Sequence, residues 1–170
     1  ALEVSDREIR AVAEHEAFRM AFELMALDRE RDAKLQWWHA LKSLDHNQYQ
    51  AASKLAQRWL WDEVAIFTIA KVKEWDDVGM RFPLRYSDEI HARAELNDIE
   101  RAVVFGLVRR ESAFNDDAHS HAGARGLMQL MPATARQVSR ELNYRWRGNS
   151  RLHEAERNIT FGTHYLKKLL

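Results

Sequence analysis

Apolar residues recur at helical spacing through the first part of the chain, and short polar turns separate the apolar segments. Ser5-Asp6-Arg7-Glu8 is typical of a capping box and predicts a helix start. The apolar residues that follow predict one helix, with a break near Leu27–Asp28. A second helix is predicted over about Glu30 to Leu44, a third after a cap at Asp45, and a fourth capped by Asp62. These elements predict two helical hairpins.

Small alanines beside large aromatic residues give these hairpins a loose resemblance to tetratricopeptide-like repeats, although no repeat consensus is complete. A plain helix bundle explains the pattern equally well. Neither interpretation assigns an activity. Five tryptophans are predicted to pack between helices rather than to stack on ligands: Trp37, Trp38, Trp59, Trp61 and Trp75.

A change of pattern at 76–90 predicts a domain boundary. This segment contains Gly79 and Pro83, and its string R-F-P-L-R-Y suggests an ordered, extended connector. We therefore expect a helical-hairpin domain over 1–80 and a second domain over 81–170. In the second domain, a short helix is predicted around Asp88–Leu96, and the sequence at 97–100 (N-D-I-E) predicts another capping box.

The helix after this box is the most informative element, because it leads from an apolar run to a single carboxylate. The run A-V-V-F-G-L-V at 102–108 predicts a helix buried on all sides. Ile99, Val103 and Leu107 step by four residues, and the next step reaches Glu111. The charged form of Glu111 would be poorly solvated there, so we expect a carboxylic acid able to donate a proton. The alternative is an ordinary solvated glutamate at a helix end.

The residues after Glu111 predict a loop that favours ligand contact. Asn115-Asp116-Asp117 favours a turn, and two glycines follow. The segment M-Q-L-M reads as a short strand, which would place Gln129 and Met131 on one side as a sugar-contact surface. Pro132 suits the first turn of a helix that runs to about Leu142. Trp146 is a candidate for an exposed contact.

Composition and charge narrow the function classes. Six glycines and two prolines in 170 residues favour an all-α protein. The net charge is zero, but residues from 97 onward carry +4 and the earlier residues −4, a shift too small to predict nucleic-acid binding. There is no cysteine for thiol catalysis and no apolar run long enough for a transmembrane segment. His119 and His121 lack an identifiable third ligand, so we predict no metal and no cofactor.

Three ordered motifs resemble the lytic transglycosylases of the goose-type lysozyme fold. They are E-S-A-F at 111–114, G-A-R-G-L-M-Q-L-M-P at 123–132, and A-E-R-N-I-T-F-G-T-H-Y-L at 155–166. The N-terminal helices are similar to the linker region of the large soluble members. The resemblance implies an all-α fold of helical hairpins followed by a mostly helical, lysozyme-like catalytic domain, with at most a very small β element.

The resemblance also implies a substrate and a reaction. The substrate would be the glycan strands of periplasmic peptidoglycan, cleaved between N-acetylmuramic acid and N-acetylglucosamine with a 1,6-anhydromuramyl product. Glu111 would be the single acid and base, and Ser120, Gln129 and Met131 would contact substrate. Asn158 and Tyr165 match the third motif and are interpreted as mainly structural. The resemblance implies no particular protein partner.

Two alternatives and one departure accompany this interpretation. A goose-type hydrolase would use the same acid with water as nucleophile, and a non-catalytic helical scaffold or glycan-binding fragment would need no acid. Asp116 and Asp117 are interpreted as turn residues rather than as a second catalytic carboxylate. Family members continue beyond the motif that ends at Leu166, so we expect a catalytic domain truncated at its C-terminus that has little activity alone.

Overall fold

A computed structural model describes residues 4–72 and 77–170, and all regular secondary structure in these ranges is helical. Two isolated antiparallel bridges pair Arg125 with His119 and with Leu130. The all-α prediction is confirmed. The α-helices of the described ranges are α1 (Asp6–Glu14), α2 (Glu16–Ala26), α3 (Glu30–Ala40), α4 (His46–Arg58), α5 (Asp62–Ile69), α6 (Val78–Arg81), α7 (Ser87–Leu96), α8 (Arg101–Ser112), α9 (Pro132–Glu141) and α10 (Ala155–Leu169).

The chain forms two compact units, Ala1–Pro83 and Leu84–Leu170. The sequence placed the boundary at 80, within the connector. The prediction of an extended connector was wrong, because the described part of 76–90 contains the one-turn helix α6, a turn at Arg85–Tyr86 and the start of α7. No helix in the described ranges combines the length and the apolar character that crossing a bilayer requires.

Helix starts in the first unit follow local capping chemistry. The Ser5 and Asp45 capping boxes are both present, with the N-cap side chains accepting from the backbone N–H of Glu8 and Gln48. The prediction of a single first helix was wrong, because the backbone of His15 is extended and separates α1 from α2. The His15 ring caps α2 by accepting a hydrogen bond from Ala17 N–H at 3.3 Å. The Asp62 cap was also wrong, since Asp62 is the buried first residue of α5 and Trp61 holds the cap position.

Aromatic packing forms the core of the first unit. Trp37 is fully buried, and its indole Nε1 donates to the Thr68 hydroxyl at 2.9 Å. The Phe18 ring meets the Trp37 ring edge-on, with 4.7 Å between the ring centroids. The centroids of the Trp59 and Trp61 rings lie 5.7 and 5.8 Å from that of Trp37. Such edge-to-face pairs stabilise beyond their buried area. The packing prediction is confirmed for these tryptophans, whereas Trp75 lies outside the described residues.

In the second unit, helix α8 begins differently from the sequence prediction. The capping box at 97–100 was wrong, because Asn97 is the C-cap of α7 and its amide donates to the Arg93 carbonyl at 2.7 Å. Helix α8 therefore starts at Arg101, and its N-cap Glu100 makes no side-chain cap bond. An Asx residue between two helices can serve either end, and the local sequence does not decide which.

Helices α9 and α10 are joined by an ionic cluster on their exposed side. Glu141 accepts hydrogen bonds from Lys168 at 2.7 Å and from Gln137 at 2.9 Å, and its carboxylate also contacts the His164 ring at 3.1 Å. The hydrogen bond from Lys168, followed by those from Gln137 and His164, lowers the pKa of Glu141 to about 2. This cluster ties the end of α9 to the C-terminal half of α10.

Candidate active site

Helix α8 carries Glu111 in its last turn. Val104 and Val108 are fully buried, but the prediction of a helix buried on all sides was wrong, since Val103 is 47% exposed and Gly106 is also exposed. Helix α8 therefore carries more apolar residues than its contacts with the described residues bury. Glu111 itself is exposed rather than enclosed by apolar residues.

The helix ends directly after Glu111 because the backbone turns left-handed. Ala113 and Phe114 both have positive φ angles, of 49° and 65°, and both side chains are buried. The predicted turn follows, with the Asn115 side chain accepting from Asp117 N–H at 2.9 Å. This abrupt end leaves the Glu111 side chain at the edge of the helix and beside the following loop.

Glu111 lies in a groove with a volume of about 350 Å³. The groove combines residues from α8, from the loop before α9, from the first turn of α9 and from α10. Its lining residues are Leu107, Glu111, Met128, Gln129, Leu130, Met131, Thr134, Gly162, Tyr165, Leu166 and Leu169. Three of the four residues singled out from the sequence thus come together: Glu111, Gln129 and Met131.

The loop segment at 126–130 is a tight turn, so the predicted strand at M-Q-L-M was wrong. Gln129 has a left-handed backbone with φ of 45°, and Arg125 and Leu130 exchange two hydrogen bonds of 3.0 and 3.1 Å across the turn. The predicted alternation nevertheless holds for burial, because Met128 and Leu130 are each 5% exposed while Met131 is 42% exposed. A turn that reverses the chain also presents successive side chains in different directions.

Asn158 of α10 holds this turn in place. Its amide nitrogen donates to the carbonyl groups of Arg125 and Leu152 at 2.9 and 2.8 Å, and its amide oxygen accepts from Met128 N–H at 2.7 Å. Asn158 is fully buried, so each of these bonds replaces contact with water. The structural interpretation of Asn158 agrees with these contacts, whereas Tyr165 lines the groove.

Gln129 is half-buried and its amide is oriented by the turn. The amide nitrogen donates to the carbonyl groups of Gly126 and Ala118, at 2.9 and 3.2 Å. The amide oxygen accepts no hydrogen bond from the residues the structure describes, so it is available to a donor such as a sugar hydroxyl. Gln129 is therefore suited to accept hydrogen bonds in the groove.

Ser120 is placed differently from the other predicted substrate contacts. Its hydroxyl accepts from Ala124 N–H at 3.0 Å and closes the turn before Gly126. It is not among the described residues that line the groove. Asp116 and Asp117 also lie elsewhere, near Tyr86 and His153. Burial, followed by the charge of Asp116, raises the pKa of Tyr86.

Sequence reasoning missed several groove residues. Thr134 and Leu169 also line the groove, and so does Leu107, which was noticed only as part of the apolar stripe. The spacing of Gly162, Tyr165 and Leu169 along α10 is helical and places them on one face. That spacing is the signal from which this side of the groove could have been predicted.

Two glycines allow the close approach of α10 to the loop. A Cβ atom at Gly126 would lie 2.2 Å from the Leu152 carbonyl oxygen, and one at Gly162 would lie 2.3 Å from the Met128 sulfur and 2.9 Å from its Cβ. Gly126 also has a φ of 71°. The groove therefore depends on two positions where any other side chain would collide.

Gly162→Ala should lower the free energy of unfolding by about 1–3 kcal/mol, because Met128 must move out of a packed position. Gly106→Ala is the matched control on α8, where an added Cβ meets no atom within 4 Å. We expect the control to stabilise the chain by about 0.5–1 kcal/mol through helix propensity. Urea unfolding measures both, and equal effects of the two substitutions would contradict the packing described here.

Comparisons with known proteins agree with the motifs and with the two units. The transglycosylase SLT domain model matches residues 88–170, and the soluble lytic murein transglycosylase L domain model matches residues 11–78. The soluble lytic murein transglycosylase of Salmonella typhimurium is 36% identical over 148 residues, which cover 85% of this chain and 23% of that protein.

Two solved structures share the fold. The lytic transglycosylase Slt of Pseudomonas aeruginosa superposes with a TM-score of 0.90 at 30% identity, covering 98% of this chain and 27% of that one. The 70 kDa soluble lytic transglycosylase of Escherichia coli superposes with a TM-score of 0.81 at 28% identity, covering 99% of this chain and 27% of that one. The chain thus spans about a quarter of the length of the relatives it matches. From its motifs, its two domain matches and these relatives, the chain belongs to the family of soluble lytic murein transglycosylases.

Proposed function

We propose that this chain provides the acid/base residue and part of the glycan groove of a lytic transglycosylase that cleaves peptidoglycan. The observation that carries the proposal is the meeting of Glu111, Gln129 and Met131 in one groove, together with Tyr165 from α10. One carboxyl group, one oriented amide and apolar ring-sized surfaces are the groups that glycosidic bond cleavage in an N-acetylated glycan requires.

The exposure of Glu111 bears directly on how it would act. A proton donor must be protonated when the substrate is in place, and the exposed Glu111 has no apolar enclosure of its own. A glycan lying in the groove would cover the Glu111 carboxyl group, which would then lie between the sugar and apolar lining residues such as Leu107 and Met128. Removing water in this way favours the neutral form, so the substrate itself would complete the environment of the acid.

Glu111 would then act twice. As an acid it gives its proton to the glycosidic oxygen while the bond from this oxygen to the muramyl C1 breaks, and the acetamido oxygen stabilises the positive charge at C1. As a carboxylate it takes the proton of the muramyl C6 hydroxyl, whose oxygen bonds to C1 and closes the 1,6-anhydro ring. The carboxyl group ends as it began, so the reaction consumes no water and needs no cofactor.

The unit assignment follows from the same proposal. The first unit would be the helical linker domain, and the second the N-terminal part of the catalytic domain, with Glu111, Gln129 and Met131 on it. Ser120 would act on the substrate only indirectly, through the turn it closes. Because peptidoglycan lies outside the cytoplasmic membrane, the protein would work in the periplasm.

Product analysis tests this function. Purified murein should be digested with a form of the protein as long as its relatives, since this chain spans about a quarter of their length. Mass spectrometry should find muropeptides with 1,6-anhydromuramyl ends, which are lighter by one water than hydrolysis products. Reducing ends would instead support a hydrolase that uses the same glutamate. Failure to release any muropeptide would leave only a glycan-binding or scaffold role.

A further inference from the structure

The loop that follows α9 alternates aromatic residues with arginines, in the order Tyr144-Arg145-Trp146-Arg147. The two aromatic rings contact the body of the second unit. The Tyr144 ring meets Phe161 edge-on at 5.5 Å, and the half-buried Trp146 packs against the small core of this unit. The two arginines between and after them are exposed. The alternation therefore points the charged side chains outward.

This loop is attached at several points, which fixes where its arginines stand. The Tyr144 backbone N–H donates to the Ser139 carbonyl at 2.7 Å, and the Arg136 guanidinium lies 5.6 Å from the Trp146 ring centre. Arg140, in the last turn of α9, is also exposed and lies one helical turn from Arg136. A loop held in this way loses less entropy on binding than a free one.

The outward arginines have no acidic partner among the described residues. Arg140, Arg145 and Arg147 form no ion pair there, whereas Arg93 pairs with Glu156, and Glu154 pairs with both Arg151 and Arg157. The nearest acid in sequence, Glu141, is already engaged by Lys168 and His164. The three arginines, which we call the arginine surface, are exposed on the end of α9 and the loop that follows it, and their positive charge is not compensated by an ion pair with the described residues.

We propose that the arginine surface binds free carboxylates on the peptide side chains of murein, as a second contact to the polymer outside the groove. This inference depends on the proposed function. Guanidinium groups match carboxylates in a two-pronged geometry. Trp146 packs against the core of the unit, and Tyr144, which is 41% exposed, keeps an edge contact with Phe161, so charge rather than an apolar side chain dominates this surface. Thr134, which lines the groove, lies on a different face of α9 from Arg140.

Cosedimentation with insoluble murein tests this second contact. The assay uses this chain with Glu111→Gln, so that no strand is cleaved, and two polymers: murein with its peptides and murein stripped of peptides by an amidase. Both polymers are coupled to beads, because removing the peptides also removes the cross-links that make murein insoluble. Arg140→Gln, Arg145→Gln and Arg147→Gln together should raise the Kd for peptide-bearing murein about tenfold, as expected for three exposed ion pairs. Binding to the stripped polymer should not change.

A matched control removes the same charge elsewhere. Arg7, Arg19 and Arg31 are exposed residues of the first unit, and their replacement by Gln should leave both Kd values unchanged. The thermal midpoint of each variant verifies folding. Raising the salt concentration should weaken binding of the parent to peptide-bearing murein and leave the triple arginine variant almost unaffected.

The possible outcomes separate this inference from the proposed function. If the parent binds neither polymer, the proposed function fails and the arginine surface with it. If the parent binds both and the triple variant binds peptide-bearing murein equally well, only the arginine surface is overturned. Equal losses on both polymers would also overturn it, as would arginine-dependent binding to phosphatidylglycerol vesicles without dependence on murein peptides.

Discussion

Glu111→Gln should reduce the release of 1,6-anhydromuropeptides by at least about a thousandfold, because the amide neither donates nor accepts a proton in the way both steps require. The substitution preserves the size and shape of the side chain in the groove. Glu111 is exposed and makes no hydrogen bond or ion pair with the described residues, so the free energy of unfolding should stay within about 0.5 kcal/mol of the parent. Product quantification and urea unfolding measure the two quantities.

The control for this substitution lies on the same helix. Glu100→Gln changes an exposed glutamate at the start of α8 that makes no side-chain cap bond, and it should leave turnover unchanged. Both variants should be measured in a form as long as the relatives. Substantial turnover by Glu111→Gln would end its assignment as the acid. Loss of turnover in both variants would point to a general effect on α8 instead.

Asn158→Asp should lower the free energy of unfolding by about 3 kcal/mol, the other large effect expected from this structure. The amide nitrogen now donates to two carbonyl groups, of Arg125 and Leu152. An ionised carboxylate would place an oxygen against both carbonyl oxygens in a fully buried site, and each unsatisfied group costs about 1–3 kcal/mol. The defect should become smaller in acid, where the introduced aspartate is protonated and regains one donor.

The matched control is Asn149→Asp, which makes the same chemical change at an exposed residue. We expect a change of less than about 0.5 kcal/mol there. Chemical denaturation at neutral and acidic pH compares the two variants. A small effect at Asn158, similar to that at Asn149, would show that α10 does not hold the turn that carries Gln129.

The limits of sequence reasoning are clearest at helix starts and at the turn. Helices with strong periodicity or a proline at the first position, such as α9, were predictable because local propensity decides them. The break at His15 was not predictable, since capping of a helix by an imidazole ring does not change the pattern of apolar residues. Likewise, the segment M-Q-L-M fits a strand or a tight turn. The paired hydrogen bonds between Arg125 and Leu130, and the bond from Met128 N–H to Asn158, decide for the turn only in the folded structure.

The candidate site shows a similar division. The stepping of Leu107 to Glu111 correctly indicated that both would lie together, because four residues are about one helical turn. The burial expected for Glu111 was not found, since helix periodicity reports which residues share a face and not what covers that face. Contact between distant segments, such as Met128 with Gly162, depends on tertiary packing that a single sequence does not display.

The left-handed backbone at Gln129 has a consequence for evolution. A residue with a side chain pays a conformational cost at a φ of 45° that glycine would avoid. Glycine at this position would avoid that cost but would also lose the side-chain hydrogen bonds to the Ala118 and Gly126 carbonyl groups. A single substitution at this position therefore changes the backbone strain, the stability of the turn and the lining of the groove together, so few residues can replace Gln129.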